Sequence, residues 1–183
     1  MIVFFGPAGA GKSVQGQILA ARMGWRWLSA GQLLRDTHDP ALVKTMHEGK
    51  MVPHEAITKI MGEAISGAAR IDQLILDGFP RLLEQAEWLV ASQPDHGRAV
   101  ALVVVLEVPR EELLHRLDIR GRADDTPEAI DERLTMYRQE MYPVLDFLTQ
   151  QSVPVVHIDG NGTVGQVHDR VVAELTSRSL DTV

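Results

Sequence analysis

The stretch Gly6-Pro7-Ala8-Gly9-Ala10-Gly11-Lys12-Ser13 follows directly on the apolar run Ile2–Phe5. Its spacing, Gly6-x-x-x-x-Gly11-Lys12-Ser13, is that of a complete phosphate-binding loop, set between a strand-like and a helix-like segment. Glycines let the backbone curl until successive N–H groups converge on an anion, and the helix that follows adds its N-terminal dipole. Lys12 supplies a point charge for the β- and γ-phosphates, and the Ser13 hydroxyl suits Mg²⁺. Gly9, Ala10, Gly11, Lys12, Ser13 and Val14 are the expected contacts to a nucleoside triphosphate. The loop alone leaves open what becomes of the γ-phosphate.

Further blocks occur along the chain. Leu28-Ser29-Ala30-Gly31-Gln32-Leu33-Leu34-Arg35 is similar to the signature L-S-[TA]-G-D-L-L-R, and Gly49-Lys50-Met51-Val52-Pro53 to G-x-L-V-P. Asp77-Gly78-Phe79-Pro80-Arg81 is a full D-G-F-P-R, and Arg116, Arg122-Ala123-Asp124-Asp125 and Arg133 follow a lid-arginine and R-x-D-D pattern. Taken in order, from Ile2 to about Leu175, these blocks resemble the nucleoside monophosphate kinases, and among them the short-lid adenylate kinases. The resemblance implies transfer from Mg·ATP to AMP, giving two ADP.

The resemblance also implies roles. Lys12, Arg81, Arg122 and Arg133 would be catalytic, with Arg122 and Arg133 clamping the transferring phosphoryl. Arg35 and Arg81 would grip the acceptor phosphate; Ser29, Ala30, Met51, Val52, Gly78 and Gln85 would complete the AMP site. Gln85, whose amide offers a donor and an acceptor, would read the adenine edge. Arg116 would stack on the ATP adenine beside the loop at Gly162, and Asp77 with Ser13 would hold Mg²⁺, partly through water. Arg120 has no assigned counterpart, and Asp124 and Asp125 are either arginine partners or an acidic turn.

The chemistry agrees with these residue types. A monophosphate acceptor is already ionised at neutral pH, so its oxygen needs no catalytic base. What it needs is cations that bring two polyanions together and stabilise the charge in transfer. Arg35, Arg81, Arg116, Arg120, Arg122 and Arg133 supply those locally in a chain whose net charge is −7.

The elements that must position these residues are legible as an alternation. Apolar runs at Ile2–Phe5, Trp25–Leu28, Leu74–Leu76, Val100–Leu106 and Val153–Ile158 read as buried strands, each followed by a helix-like segment. That pattern predicts an α/β phosphate-loop NTPase fold: a five-stranded parallel sheet with helices on both faces. Pro109 is expected in the first turn of one helix, and Thr126-Pro127-Glu128 at the start of another over 129–151, kinked by Pro143. A last helix is expected after Gly162-Thr163, with Val164, Val167, Val171, Val172 and Leu175 on one face. Residues 1–183 read as a single domain with a small acceptor cap (about 29–58) and a short lid (about 117–127), both on the ligand side of the sheet.

Composition bounds the alternatives. The acidic charge argues against broad nucleic-acid binding. The chain has no cysteine and hence no thiolate zinc site, and the histidines lack metal spacing, so structural zinc is not expected. His38, His47, His54, His96, His115, His157 and His168 read as surface or capping residues, and Trp25, Trp27 and Trp88 as packing residues. No leader and no membrane-length apolar run are seen, so a cytoplasmic monomer acting on ATP, AMP and ADP, with no membrane partner, is expected.

Some departures leave the acceptor open. The loop reads Lys12-Ser13-Val14 where relatives carry G-K-G-T, Gln32 stands for Asp, and the span from Arg35 to Gly49 is short. Ala30 replaces a threonine and also occurs in pyrimidine-monophosphate relatives, so UMP or CMP is the alternative acceptor. A nucleotide-binding regulatory protein that has lost transfer is the rival of another class. The retained lid arginines count against it.

Overall fold

The computed structural model describes residues 1–47, 52–121 and 126–181. Its strands are β1 (Ile2–Phe5), β2 (Arg26–Ser29), β3 (Leu74–Asp77), β4 (Leu102–Glu107) and β5 (Val155–Asp159). All pair in parallel, in the spatial order β2-β3-β1-β4-β5. The helices between them are α1 (Lys12–Met23), α2 (Ala30–Asp36), α3 (Pro40–His47), α4 (His54–Gly67), α5 (Leu83–Ala91), α6 (Gln93–His96), α7 (Arg110–Arg120), α8 (Pro127–Gln150) and α9 (Val164–Ser177).

The three central strands, β1, β3 and β4, are apolar up to their carboxyl ends because both faces of the sheet are covered there. The edge strands β2 and β5 carry Arg26 and His157. Val3, Phe5, Leu74, Leu76, Val103 and Val105 point into one core layer, with Ile57 and Met61 of α4, Leu89 of α5 and Val144 and Leu148 of α8. Ile2, Phe4, Ile75, Leu102, Val104 and Leu106, the alternate positions, enter the other layer with Leu19 of α1, Leu113 of α7 and Val167 and Val171 of α9. A one-residue slip of any strand would exchange these sets.

The expected alternation and sheet are borne out, with strand ends moved by a residue or two. Other details differ. Pro109 precedes α7 as its cap residue, at φ −57° and ψ 144°, because the extended ψ places it outside the helix. Helix α8 spans Pro143 and starts two residues earlier than expected, with Pro127 in the first-turn position that needs no backbone donor. Val164 is 51% exposed, since the first turn of α9 projects beyond the core that receives Val167, Val171 and Leu175. The tryptophans pack as expected: Trp25 is buried, and Trp88 meets Phe79 edge to face with ring centroids 5.9 Å apart.

Strand β1 lies between β3 and β4 because the chain moves to one side after β1 and crosses to the other after β3. The phosphate loop therefore leaves the sheet at its topological switch point, where ligands of open α/β sheets bind. Ser29 and Asp77 are register partners at the carboxyl ends of β2 and β3, as are Glu107 and Asp159 at those of β4 and β5.

Candidate active site

Gly11 caps α1 in the left-handed region, at φ 94°, where a side chain would be strained. That turn starts α1 directly at the loop, and a helix N-terminus favours an anion. Ala10 is fully buried beneath, and its N–H donates to the Pro7 carbonyl at 3.2 Å. The Lys12 ammonium lies across the loop, donating to the carbonyl oxygens of Gly6 at 2.6 Å and Pro7 at 2.9 Å. Val14 is 44% exposed on the following turn.

Ser13 and Asp77 are 64 positions apart in sequence, yet the Ser13 hydroxyl donates to Oδ2 of Asp77 at 2.6 Å. Asp77 is only 4% exposed and stands at the end of β3 beside the phosphate loop. A hydroxyl and a carboxylate side by side form an oxygen donor set that fits Mg²⁺. Among the described residues no group of His, Asp and Glu is arranged to hold a metal by itself.

On the β2 and β3 side, Ser29 caps α2, its Oγ accepting from the Gln32 N–H at 3.4 Å. Ala30 is buried directly after it. Arg35 lies in the last turn of α2 and donates to Oε1 of Gln32 at 3.0 Å, while Nε2 of Gln32 donates to Asp36 at 2.7 Å. Gly78 turns the chain after Asp77 at φ 74°, and its carbonyl accepts from Nε of Arg81 at 3.2 Å. Gln85 is 3% exposed, and its Oε1 accepts from the backbone N–H of Arg81 at 2.7 Å. Gly78, Arg81 and Gln85 thus form one hydrogen-bonded unit. Val52 packs at the edge of the adjoining core layer.

On the β4 and β5 side, Arg116 of α7 is held by Glu112 at 2.7 Å and donates to the carbonyls of Gly160 at 3.0 Å and Gly162 at 3.4 Å. The arginine and the glycine loop expected around one base are therefore together. Arg170 takes the intervening carbonyls of Asp159 at 2.7 Å and Asn161 at 2.6 Å, so two guanidinium groups fix the loop in alternation. Thr163 and Gln166 close a reciprocal capping box at the start of α9.

Met51, Arg122, Asp124 and Asp125 lie outside the described residues, as do Gly49 and Lys50. Arg120 and Arg133 fall on α7 and α8, with side chains outside the described set.

His168 is corrected from a surface or capping residue to a buried one, 7% exposed, between Gln15 and Arg22. Helical spacing carried the signal. His168 stands four residues after Val164 and three before Val171, on the stripe that faces the core. Burial, reinforced by the Arg22 charge and opposed by Asp169, holds its pKa below the usual 6.5.

Comparison with known proteins agrees with this arrangement. A family model described as adenylate kinase matches residues 4–153. A protein named adenylate kinase from Porphyromonas gingivalis is 36% identical over 180 residues, covering 93% of this chain and 92% of that protein. One from Thermus thermophilus is 34% identical over 184 residues, covering 95% and 96%. Another, from Mycolicibacterium paratuberculosis, is 34% identical over 180 residues, covering 95% and 98%. With the match spanning the phosphate loop, the Asp77–Gln85 unit and the Arg116 clamp alike, this chain belongs to the adenylate kinase family.

Proposed function

We propose that the chain transfers the γ-phosphoryl of Mg·ATP to AMP, reversibly, giving two ADP. The carrying observation is that two different hydrogen-bonded assemblies stand at the ends of adjacent strands. The loop with Lys12 and the Ser13–Asp77 pair lies at β1, and the Gly78–Arg81–Gln85 unit follows β3. A protein that only bound a triphosphate would need the first alone.

In this reading the loop N–H groups and Lys12 hold the donor phosphates, and Arg116 with the loop at Gly162 frames the donor base. Lys12 exchanges its two carbonyl partners for phosphate oxygens when the nucleotide enters, a swap between neutral and ionised acceptors that favours binding. Ser13 and Asp77 would hold Mg²⁺, Asp77 partly through water, and the chemistry supplied there would be neutralisation of phosphate charge. Arg35 and Arg81 grip the acceptor phosphate, with Ser29, Ala30, Met51 and Val52 lining the acceptor site. Arg122 and Arg133 stabilise the charge that develops in transfer. Residues 29–58 and 117–127 serve as acceptor cap and lid, excluding water around the reacting phosphates.

The net charge of −7 supports small anionic partners gripped locally over nucleic acid, and we read the protein as a cytoplasmic monomer. Among the described residues no helix is long and apolar enough to cross a membrane. A preference for UMP or CMP is the second reading, because the buried Ala30 offers no hydroxyl next to the acceptor-side cap.

The test is ADP formation from Mg·ATP against AMP, CMP, UMP, GMP and simple sugars, with Arg35→Ala and Arg122→Ala beside the wild type. We expect AMP to give the highest kcat/KM, Arg35→Ala to raise the AMP KM, and Arg122→Ala to lower kcat. Higher kcat/KM for CMP or UMP would overturn AMP as acceptor. No transfer to any monophosphate would overturn the kinase reading.

A further inference from the structure

Gln15 and His168 are buried polar side chains, 2% and 7% exposed, that the phosphate chemistry does not use. They join α1, which begins inside the phosphate loop, to α9, which begins after the loop at Gly162. Nε2 of Gln15 donates to the Val164 carbonyl at 2.9 Å. Oε1 of Gln15 lies 3.2 Å from Nδ1 of His168, and Nε2 of His168 lies 3.3 Å from Nη1 of Arg22.

The direction of every bond in this chain follows from its outer end. A guanidinium can only donate. Nε2 of His168 is therefore the acceptor, the neutral ring carries its proton on Nδ1, and that N–H donates to Oε1 of Gln15. The Gln15 NH₂ is then left facing Val164. Without the histidine, the amide could turn over and set its oxygen against the Val164 carbonyl, exchanging a hydrogen bond for a repulsion in a buried place. Arg22, at the surface, thus orders the sequence Arg22→His168→Gln15→Val164.

The inner end of that sequence meets the site. Val164 continues the loop whose Gly160 and Gly162 carbonyls are held by Arg116. Gly160 lies so close to the phosphate loop that a β-carbon there would come within 3.6 Å of the Ala10 carbonyl. We infer that His168 is a positioning residue of the donor-nucleotide site: by fixing the Gln15 amide it holds the loop 160–164 in register with the phosphate loop. The inference rests on the proposed reading of that loop as the frame of the donor base.

The effect should fall on the base and spare the phosphates. His168→Leu removes both ring nitrogens, whereas His168→Asn keeps a donor where Nδ1 stood. Dissociation constants for Mg·ATP, Mg·tripolyphosphate and AMP are measured by titration calorimetry, alongside the KM values for ATP and AMP. Losing one oriented buried hydrogen bond should weaken ATP about five- to twentyfold in His168→Leu. Tripolyphosphate and AMP should stay within about twofold, and His168→Asn should recover most of the loss.

Unchanged ATP affinity, or equal weakening of all three ligands, would overturn the inference, because helix packing alone would account for it. If neither His168 variant folds, Arg22→Ala, at an exposed position, carries the test. Its His168 ring should lose the fixed Nδ1–H tautomer in ¹⁵N spectra, with a selective ATP loss of about two- to threefold. An unchanged tautomer or unchanged ATP affinity there overturns the inference. Wild-type protein that fails to bind ATP overturns the proposed function instead, a result distinct from intact binding that the variants do not alter.

Discussion

Gln85→Met separates two jobs that meet in one side chain. Methionine has nearly the volume of glutamine and suits a buried site, so the change removes polar atoms with little effect on packing. Gln85 is 3% exposed, and its Oε1 accepts the Arg81 backbone N–H at 2.7 Å. Leaving that donor without its partner costs about 1–3 kcal/mol, partly offset because the amide itself no longer has to be desolvated. A net loss of about 1–2 kcal/mol is expected, which for a domain of this size lowers Tm by about 2–8 °C.

The consequence for activity has two parts. The Arg81 backbone is released at a residue whose guanidinium also leans on the Gly78 carbonyl at 3.2 Å, so the grip on every monophosphate loosens. If Gln85 reads the adenine edge as the resemblance implies, that edge also loses its amide, a further discrimination of about 1–3 kcal/mol by analogy with amide–adenine pairing in DNA. Together these lower kcat/KM for AMP about ten- to a hundredfold, with a smaller fall for CMP and UMP. The ATP KM should move less than about twofold, since α7 and α9 lie in the core layer on the other side of the sheet from α5. Steady-state kinetics against each monophosphate, with thermal unfolding on the same samples, decides the matter. An equal fall for all monophosphates would refute base reading by Gln85 while keeping its support of Arg81. A lowered Tm with unchanged AMP kinetics would refute both.

The other expectations concern the donor side. Lys12→Ala should fold and lose turnover by about a hundredfold or more, because the loop loses its point charge at the phosphates; near-normal turnover in a folded variant would be incompatible with the assignment. Gly160→Ala would put a β-carbon 2.7 Å from Cγ2 of Val108 and 3.1 Å from the Glu107 carbonyl. We expect about 1–3 kcal/mol of destabilisation with a raised ATP KM, read by urea unfolding and kinetics. His168 predicts a pH dependence. Its folded-state pKa is held below 6.5 by burial and then by Arg22, so the unfolded chain takes up the proton first. Stability is full above about pH 6.5 and declines as pH falls toward the folded value. Urea unfolding of wild type and His168→Asn between pH 7.5 and 5.5 should show the steeper acid loss in wild type, and parallel curves would refute it.

What the sequence makes legible is whatever depends on local pattern. The buried strands, the glycine loop and the run Asp77–Arg81 are continuous in the chain, and the helix edges carry their own punctuation, as at Thr163 and Gln166. The resemblance places Arg116 and Gly162 each beside one base, and the structure adds a hydrogen bond between them that the sequence does not announce. Less legible are contacts that only the strand order creates. Gln15 and His168 are 153 positions apart, and nothing in either neighbourhood announces the other; they meet because α1 and α9 cover the same face of the sheet. Arg98 shows the same limit for charge. It resembles any surface cation in sequence, yet its guanidinium gathers the carbonyls of Ala68, Ala69, Ile71 and Asp72 and closes the turn into β3. An arginine count therefore cannot separate those that hold backbone from those offered to a ligand.

The first turn of α1 explains how two nucleotides could be held in register by a small sheet. Lys12 lies over the loop, Ser13 bonds across to Asp77 at the end of β3, and Gln15 bonds the other way to Val164 at the start of α9. Three residues within a single helical turn thus reach the phosphate loop, the end of β3 and the start of α9. A helix turn is stiff, since its backbone bonds fix each residue to its neighbours a turn away. The relative placement of these three points consequently depends on one rigid segment. Along that segment Gln15 and the neutral ring of His168 are polar partners, and Lys12 is the cation that lies over the phosphate loop. Neutral hydrogen bonds such as Gln15 to Val164 set part of this geometry without adding charge, while Lys12 brings a cation to the phosphate loop.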